Sequence, residues 1–198
     1  MYTGLVEATG KISKTATAAE GRRIRVSTEF ASDLAVGDSI AVSGVCLTVE
    51  RRSDDWFEAF ATEETLRRTY LSTLGVGDAV NLERPMPADG RFDGHVVKGT
   101  VDTTGTVAEI RDQEEGVEFV FEVPDDFAGY LVEKGAVAVD GASLTVADYD
   151  DSSFSIAAIP ETLRLTTLTK KNVGDPVHLE ADVLAKYVER RLAVEAAQ

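Results

Sequence analysis

Cysteine and histidine are scarce in this sequence. One cysteine and two histidines occur in 198 residues, so the chain cannot close a disulfide within itself, and these residues are too few for the usual structural zinc sites. No apolar run reaches the roughly 18 residues that a membrane-spanning helix needs. The first residues also lack the basic and apolar regions of a signal peptide. We therefore expect a cytoplasmic protein with neither a membrane span nor a metal centre.

Positive charge is scarce as well. The chain has 20 Lys and Arg, of which seven are Lys, against 35 Asp and Glu, and its formal net charge is −15. Such a balance argues against nucleic acid or an anionic membrane as a partner, because both require a basic surface. Two interpretations of the acidity remain open. The protein has an ordinary acidic surface, or it is adapted to high salt, where screening makes dense negative charge tolerable.

What the sequence does contain is a long internal repeat. The segment 39–49, SIAVSGVCLTV, resembles the segment 136–146, AVAVDGASLTV, and Gly44 corresponds to Gly141, 97 positions later. The same spacing continues without a gap through ETLR (64–67 and 161–164) and VGD (76–78 and 173–175) to Leu-Glu (82–83 and 179–180). A match of this length indicates a tandem duplication rather than a solenoid of short units.

The amino-terminal segments of the two copies correspond at a slightly shorter spacing. TGLVE at 3–7 matches KGTVD at 98–102 with an offset of 95, which implies a two-residue insertion in the second copy before Leu131. A connector rich in Pro and Gly, 85–94, separates the copies. These features predict two domains, 1–90 and 91–181, followed by a tail without a counterpart, 182–198.

The tail has the pattern of an amphipathic helix. Asp182 is a suitable N-cap, and the residues after it are strong helix formers. Leu184, Tyr187, Val188 and Leu192 recur at helical spacing on one face. A helix this short needs something to pack on, which is either its own domain or another subunit.

The strand pattern of each copy predicts a barrel. Each copy contains about six short runs of alternating or β-branched residues, separated by turns that contain Gly and Asp. Short helical turns are expected at 30–34 and 64–71 and at their counterparts. Six short strands of this kind favour a closed antiparallel barrel, because closure leaves no strand edge exposed. The predicted fold is mainly β, with two tandem, pseudo-symmetric, six-stranded antiparallel barrels and a C-terminal helix.

Several motifs together resemble the riboflavin synthase family, whose members contain two lumazine-binding repeats. They are MYTGLV at 1–6, GVCLTV at 44–49, Gly94-His95, DGASLTV at 140–146 and IPETL at 159–163. The resemblance implies one 6,7-dimethyl-8-ribityllumazine bound per barrel, and a dismutation of two lumazines to riboflavin and 5-amino-6-ribitylaminopyrimidinedione. It also implies a homotrimer held in part by the C-terminal helix, no cofactor or metal, and lumazine synthase as a candidate partner.

The predicted substrate-binding residues suit a flat heterocycle with carbonyls and ring nitrogens at its edge. Such a ligand needs hydroxyl and backbone partners in a largely apolar slot, and glycine lets the backbone approach the ring closely. These residue types recur at matching places in both copies, which favours binding over a purely structural role. The set, drawn from the repeat and the resemblance, is Gly4, Leu5, Val6, Ser39, Cys46, Thr48, Thr62, Glu63, Thr65, Gly99, Thr100, Val101, Lys134, Ser143, Thr145, Ile159, Pro160 and Thr162.

The predicted catalytic residues include positions where the copies differ. Dismutation gives two identical molecules different roles, and Ser43 and Cys46 of the first copy correspond to Asp140 and Ser143 of the second. Asp140 could orient a hydroxyl or move a proton, and Ser143 or Cys46 could assist addition to the ring. Structural roles remain open, because Asp-Gly is a common turn pair and a single cysteine is often a small buried hydrophobe.

Two histidines and one missing histidine complete the site prediction. The resemblance places His95 near the ligand as a further catalytic residue, and a solvated turn histidine is the alternative. It also places Lys134 near the second site. His178, which replaces Asn81 of the first copy, is expected to be structural on an outward-facing strand. The family commonly has a histidine where this chain has Thr100, which makes lower activity conceivable.

Two other functions compete with the enzyme. A non-catalytic lumazine- or flavin-binding protein of the same fold would bind without turnover, and the reactive residues in both copies favour the enzyme over it. A flavin-dependent reductase module uses a related barrel. That reading is disfavoured because no Gly-x-Gly-x-x-Gly segment follows that could hold a nicotinamide.

Overall fold

A computed structural model, which describes residues 1–196, shows two closed antiparallel barrels of six strands each. The first barrel consists of β1 (Ala8–Ala18), β2 (Gly21–Ser27), β3 (Ser39–Val42), β4 (Val45–Arg52), β5 (Trp56–Thr62) and β6 (Ala79–Glu83). The second consists of β7 (Thr103–Gln113), β8 (Gly116–Glu122), β9 (Ala136–Val139), β10 (Ala142–Tyr149), β11 (Ser153–Ala158) and β12 (Pro176–Ala181). Neighbouring strands follow the same order in both barrels, which confirms the predicted architecture.

Short helices and 3₁₀ turns occupy equivalent places in the two copies, and the last helix has no counterpart in the first copy. The helices are α1 (Glu63–Arg68), α2 (Asp125–Ala128), α3 (Pro160–Leu165) and α4 (Val183–Ala196), and 3₁₀ turns lie at Ala31–Asp33, Tyr70–Ser72 and Thr167–Lys170. Helices α1 and α3 each follow the fifth strand of their barrel. Thr62 begins α1 by accepting a hydrogen bond from the Thr65 N–H, whereas α3 begins with Pro160, a residue well suited to a first helical turn.

Each barrel closes around its own apolar core, and the repeated motif contributes alternate residues to it. Successive side chains of a strand point to opposite faces. The inward side chains are Val45, Leu47 and Val49 in β4 and Ala142, Leu144 and Val146 in β10. The side chains between them point outward, namely Cys46 and Thr48 in β4 and Ser143 and Thr145 in β10. The motif therefore presents its polar residues on the outside of the barrel.

The two barrels exchange their amino-terminal segments, which we call arm 1 (residues 1–7) and arm 2 (residues 95–102). The arms cross at a short antiparallel bridge, where Tyr2 and Val97 exchange backbone hydrogen bonds of 2.7 and 3.1 Å. Beyond this crossing, arm 1 contacts β10 of the second barrel and arm 2 contacts β4 of the first. The predicted boundary at 90/91 falls in the segment between β6 and arm 2, and in space each barrel is completed by the arm of the other copy.

The turns of the repeated motif meet where the barrels pack together. Gly44 and Gly141 both have positive φ angles, +82° and +80°. A Cβ atom on Gly44 would lie 2.8 Å from the Gly141 nitrogen, and one on Gly141 would lie 2.6 Å from the Gly44 nitrogen. These reciprocal contacts indicate an approximate twofold relation between the barrels, and they leave no room for a side chain at either position.

Polar side chains of the last strands complete the contact between barrels. His178 points out of its own barrel, as expected, but it is buried against the other one. Its Nε2 accepts the Tyr70 N–H at 2.9 Å, and its Nδ1 lies 2.8 Å from the Ser43 carbonyl oxygen. Asn81 makes the equivalent pair of bonds in the other half. His178 is therefore structural, as predicted, and its surroundings are protein rather than solvent.

Helix α4 is held to the body of the protein by polar contacts. The Leu184 N–H donates to the Asp182 carboxylate, which confirms the predicted N-cap. The Lys186 ammonium lies 2.6 Å from the Asp102 carboxylate, and Tyr130 donates a hydrogen bond to Glu189. The apolar face points away from both barrels, and its residues, Leu184, Tyr187, Val188 and Leu192, are 59–71% exposed. The last two residues of the predicted tail lie outside the described part of the chain.

Candidate functional site

The exchanged arms create two equivalent grooves, each between the outer face of one barrel and the arm of the other copy. Groove 1, of about 430 Å³, is lined by Cys46, Thr65, Arg68, Gly99, Thr100 and Val101 among others. Groove 2, of about 170 Å³, is lined by Gly4, Leu5, Val6, Ser143, Ile159 and Thr162 among others. Most of the residues that the sequence predicts for substrate binding thus line one of these two grooves.

In both grooves the arm approaches the barrel through a glycine. The Gly4 carbonyl accepts the Ser143 N–H at 2.8 Å, and the Gly99 carbonyl accepts the Cys46 N–H at 2.9 Å. Both glycines have positive φ angles, +77° and +76°, a conformation that costs other residues energy. A Cβ on Gly4 would lie 2.5 Å from the Ser143 Cβ. Glycine is therefore required for the arms to pass this close to Ser143 and Cys46.

Two buried carboxylates hold the arms in place. Glu83 accepts hydrogen bonds from the Thr3 N–H and hydroxyl (2.7 and 2.8 Å) and from the Gly4 N–H (3.0 Å). Its counterpart Glu180 accepts the N–H groups of Lys98 and Thr100 at 2.6 and 2.8 Å. Burial raises the pKa of both carboxyl groups, while the hydrogen bonds from the arms lower it.

Neither carboxylate is among the site residues that the sequence predicts. The sequence feature that could have identified them is the Leu-Glu pair at the end of the repeat in both copies.

Ser143, which lines groove 2, is paired with a histidine. The Ser143 hydroxyl lies 2.7 Å from His95 Nδ1, and His95 Nε2 is buried and has no hydrogen-bond partner within the described residues. Burial lowers the pKa of His95, which favours the neutral imidazole. A neutral ring can accept the hydroxyl proton at Nδ1. The histidine is not the solvated turn residue of the alternative interpretation, because only 9% of its surface is exposed.

Cys46, which lines groove 1 at the equivalent place, is paired with a tyrosine. The Tyr2 hydroxyl donates to the Cys46 sulfur at 3.1 Å. Tyr2 is fully buried, and burial, with the Cys46 contact second, raises its pKa far above the usual value. Cys46 itself is exposed, so the interpretation of this cysteine as a small buried hydrophobe is wrong. Tyr2 and His95 come from different arms, and each reaches the outward-pointing residue of the repeated motif.

Asp140 lies outside both grooves. Its side chain is 0% exposed and accepts the Tyr70 hydroxyl and the His178 N–H, both at 2.8 Å. The Lys171 ammonium lies 2.9 Å from the other carboxylate oxygen. Asp140 has a φ of +46° in the turn before Ser143, and this conformation points its side chain into the contact between the barrels rather than toward a ligand.

The remaining predicted residues are not among those that line the grooves. Thr48 and Thr145 follow Cys46 and Ser143 by two positions, so they lie on the same outward faces. Ser39 pairs with Thr48 across β3 and β4. Thr62, Glu63 and Pro160 form the starts of α1 and α3, and Thr62 caps its helix. Lys134 is exposed, and its ammonium donates to the Ala147 carbonyl.

The grooves differ in polarity at two equivalent positions. Groove 1 contains Arg68 where groove 2 contains Leu165, and it contains Thr100 where groove 2 contains Leu5. Arg68 pairs with Glu64 one helical turn earlier at 3.1 Å. Groove 1 is therefore lined by charged and hydroxyl groups, whereas groove 2 is mainly apolar around its serine–histidine pair.

Comparison with known proteins identifies the repeat. Residues 3–85 and 98–182 each match the lumazine binding domain. The chain belongs to the lumazine-binding domain family. The two matched segments coincide with the two barrels and their arms, so one lumazine-binding repeat corresponds to one barrel together with the arm that precedes it in sequence.

Curated relatives of these lumazine-binding repeats are riboflavin synthases. The protein from Actinobacillus pleuropneumoniae is 42% identical over 193 residues, which cover 97% of this chain and 90% of that one. The protein from Mycobacterium bovis is 42% identical over 96% of this chain and 97% of its own. The one from Schizosaccharomyces pombe is 41% identical over 96% and 93%.

Solved structures share the fold of the two repeats. Crystal structures of LumP complexed with riboflavin and with 6,7-dimethyl-8-(1'-D-ribityl) lumazine give TM-scores of 0.84 and 0.83. Each covers 91% of this chain and 99% of its own, at 24% and 22% sequence identity. At this level of identity the likeness concerns the fold.

Two further features of residues 1–196 bear on the site. None of their helices has the length and apolarity that crossing a membrane requires. Within the same residues, no three His, Cys, Asp or Glu side chains are grouped so that they could hold a metal ion.

Proposed function

We propose that this protein is a riboflavin synthase, which converts two 6,7-dimethyl-8-ribityllumazine molecules into riboflavin and 5-amino-6-ribitylaminopyrimidinedione. The observation that carries the proposal is the pair of equivalent grooves whose reactive positions differ. One groove offers Cys46 beside Tyr2, and the other offers Ser143 beside His95. Two lumazines contain all the atoms of both products, so the reaction requires no external oxidant or reductant.

The grooves suit a lumazine ring. Arm glycines bring backbone close to the slot, and hydroxyl groups at equivalent positions, such as Thr65 and Thr162, offer partners to the carbonyls and nitrogens of the ring edge. We extend the binding surface along the outward faces to Thr48 and Thr145. We also include the rest of the predicted set, namely Ile159, which lines groove 2, and Ser39, Thr62, Glu63, Lys134 and Pro160.

The serine–histidine pair suits the chemistry of the dismutation. One lumazine must lose a proton from its 7-methyl group, and the other must accept a nucleophile at the ring. A neutral His95 can take the Ser143 hydroxyl proton while the serine oxygen adds to a ring carbon, and it can return that proton when the bond breaks. Cys46 lies beside the hydroxyl donor Tyr2 rather than beside a base, so we assign the base-assisted addition to groove 2. This difference gives the two lumazines different roles.

We further propose a cytoplasmic homotrimer, in which groove 1 of one subunit faces groove 2 of the next. The exposed apolar face of α4 supports this assembly, because such a face on a short helix calls for a packing partner. The lumazine itself must come from an enzyme that condenses the pyrimidinedione with a four-carbon unit. Lumazine synthase is thus the enzyme expected to work alongside this one.

One assay tests the proposal. Dialysed, chelator-treated protein incubated with lumazine alone should form riboflavin and the pyrimidinedione in equal amounts, as measured by absorbance and chromatography. A protein that binds lumazine and forms no riboflavin would instead be a non-catalytic lumazine-binding protein. That second function is favoured by one observation, namely Thr100 at the position where the family commonly has a histidine.

A further inference from the structure

A buried polar cluster between the barrels takes no part in the groove chemistry described above. We call Tyr70, Asp140, Lys171 and His178 the interface cluster. Tyr70, Asp140 and His178 are at most 8% exposed, and the Lys171 side chain is 12% exposed. The Tyr70 ring stacks on the His178 ring with centroids 3.8 Å apart. Burying an ion pair such as Asp140–Lys171 carries a large desolvation cost, so its presence calls for an explanation.

The interface cluster occurs in only one half of a nearly symmetric contact. The residues equivalent to Tyr70, Asp140, Lys171 and His178, each 97 positions earlier or later, are Thr167, Ser43, Leu74 and Asn81. These four residues join the barrels without a buried ion pair. The Asn81 side chain accepts the Thr167 N–H and donates to the Asp140 carbonyl. The charged cluster is therefore not required simply to join the barrels.

The cluster connects the two grooves. Tyr70 directly follows Thr69, which lines groove 1, and its hydroxyl donates to the Asp140 carboxylate. Asp140 lies in the turn between β9 and β10, three residues before Ser143. The turn has a positive φ at Asp140, +46°, as the equivalent turn has at Ser43, +44°, and two hydrogen bonds and the Lys171 ammonium hold the Asp140 carboxylate.

We propose that Tyr70 and Lys171 are positioning residues for groove 2. Both residues contact the Asp140 carboxylate and so fix the β9–β10 turn. The position of this turn then sets the distance between the Ser143 hydroxyl and His95. The kinetic consequence rests on the proposed riboflavin synthase activity, whereas the geometry of the serine–histidine pair does not. A spectroscopic readout at His95 therefore tests the positioning independently of turnover.

The substitution Tyr70→Phe removes one hydroxyl and keeps the ring that stacks on His178. The chain has only two histidines, so NMR of the full-length protein with ¹⁵N-labelled histidine gives two resolved imidazoles. We expect Tyr70→Phe to shift both imidazoles, His178 through direct contact and His95 through the turn. The kcat for lumazine should fall about 10-fold with KM changed less than about twofold, the pattern for an interaction used in the transition state.

Matched variants separate positioning from stability. Thr167→Val alters the position equivalent to Tyr70 and should leave the His95 signal unchanged. Lys171→Leu introduces the residue found at the equivalent position, Leu74, and should shift the His95 signal as Tyr70→Phe does. Lys171→Arg keeps the positive charge and should give the wild-type His95 signal. A Tyr70→Phe protein that shifts only His178 and retains wild-type kcat overturns the inference. If the wild-type protein does not turn over lumazine but Tyr70→Phe still shifts the His95 signal, the proposed enzyme function is wrong. The positioning role of Tyr70 would then still hold.

Discussion

Cys46 and Ser143 show how a duplicated backbone allows single residues to diverge. Each is the first outward-facing residue of its strand, and each donates its N–H to the carbonyl of an arm glycine. Only the side-chain neighbours differ, Tyr2 in one case and His95 in the other. Because the backbone is fixed by the repeat, a change of one side chain alters the chemistry of one groove without moving the other.

The first prediction at this scale concerns the pH dependence of turnover. Burial lowers the pKa of His95, so the ring should be a neutral base at pH 7 and become protonated only below its ordinary pKa of about 6.5. The kcat/KM for lumazine should therefore fall on the acid side with an apparent pKa below that value. His95→Gln should lower kcat roughly 10²-fold and abolish this acid limb.

The matched control for this prediction is His178→Asn. Asn81 already makes the equivalent bonds in the other half, so the substitution should preserve the fold and the acid limb. The measurement is the pH–rate profile of each variant between pH 4 and 8. An acid limb that persists unchanged in His95→Gln would assign the titration to another group.

Single residues also show which parts of the site the sequence could predict. Gly4, Gly99 and Ser143 were predicted because the repeat marks equivalent positions, and the structure brings all three into the grooves. Glu83 escaped prediction because its partners are backbone N–H groups of an arm far away in sequence. The direction of the Asp140 side chain depends on a left-handed turn conformation, and a residue pattern gives no φ angle.

At the scale of secondary structure, the last helix is the element that lacks a counterpart. Its inner side is tied down by the Lys186–Asp102 and Tyr130–Glu189 contacts. The amphipathic pattern predicted the helix and its apolar face from sequence, and it left open what that face packs on. The helix is thus held to its own copy by its polar side, while its apolar residues stay exposed, and a second subunit as the partner of that face stays a prediction.

The prediction for this element is that charge on the apolar face breaks the assembly. Leu184→Glu with Val188→Glu should reduce the oligomer to monomers in light scattering and lower the turnover of lumazine, because buried unpaired carboxylates are costly at an interface. Arg190→Glu changes the net charge by the same amount away from this face and should leave the assembly unchanged. A double variant that stays trimeric would remove α4 from the interface.

At the scale of the whole molecule, duplication explains why two similar sites exist in one chain, and the exchanged arms explain why neither barrel is complete alone. The repeat predicted two barrels because a gapless match over most of each copy implies one fold used twice. It could not predict the exchange, since an arm that folds back on its own barrel and one that crosses to the other have the same sequence.

The net charge is the other property of the whole molecule, and it leads to a prediction about salt. Residues 1–90 contain ten basic and fourteen acidic residues, and residues 91–198 contain ten and twenty-one, so the halves carry −4 and −11. Self-repulsion should therefore be strongest in the second half. Screening acts over a Debye length of about 30 Å at 0.01 M salt and about 3 Å at 1 M.

If the acidity reflects adaptation to high salt, the melting temperature and the rate of lumazine turnover should both rise steeply from 0.01 M toward 1 M KCl. The gain in stability should be larger in the second barrel than in the first, because it relieves more like charge. Hydrogen exchange followed strand by strand at the two salt concentrations measures this difference. Equal protection of β7–β12 at both concentrations, together with a flat melting curve, would leave the charge as the composition of an ordinary acidic surface.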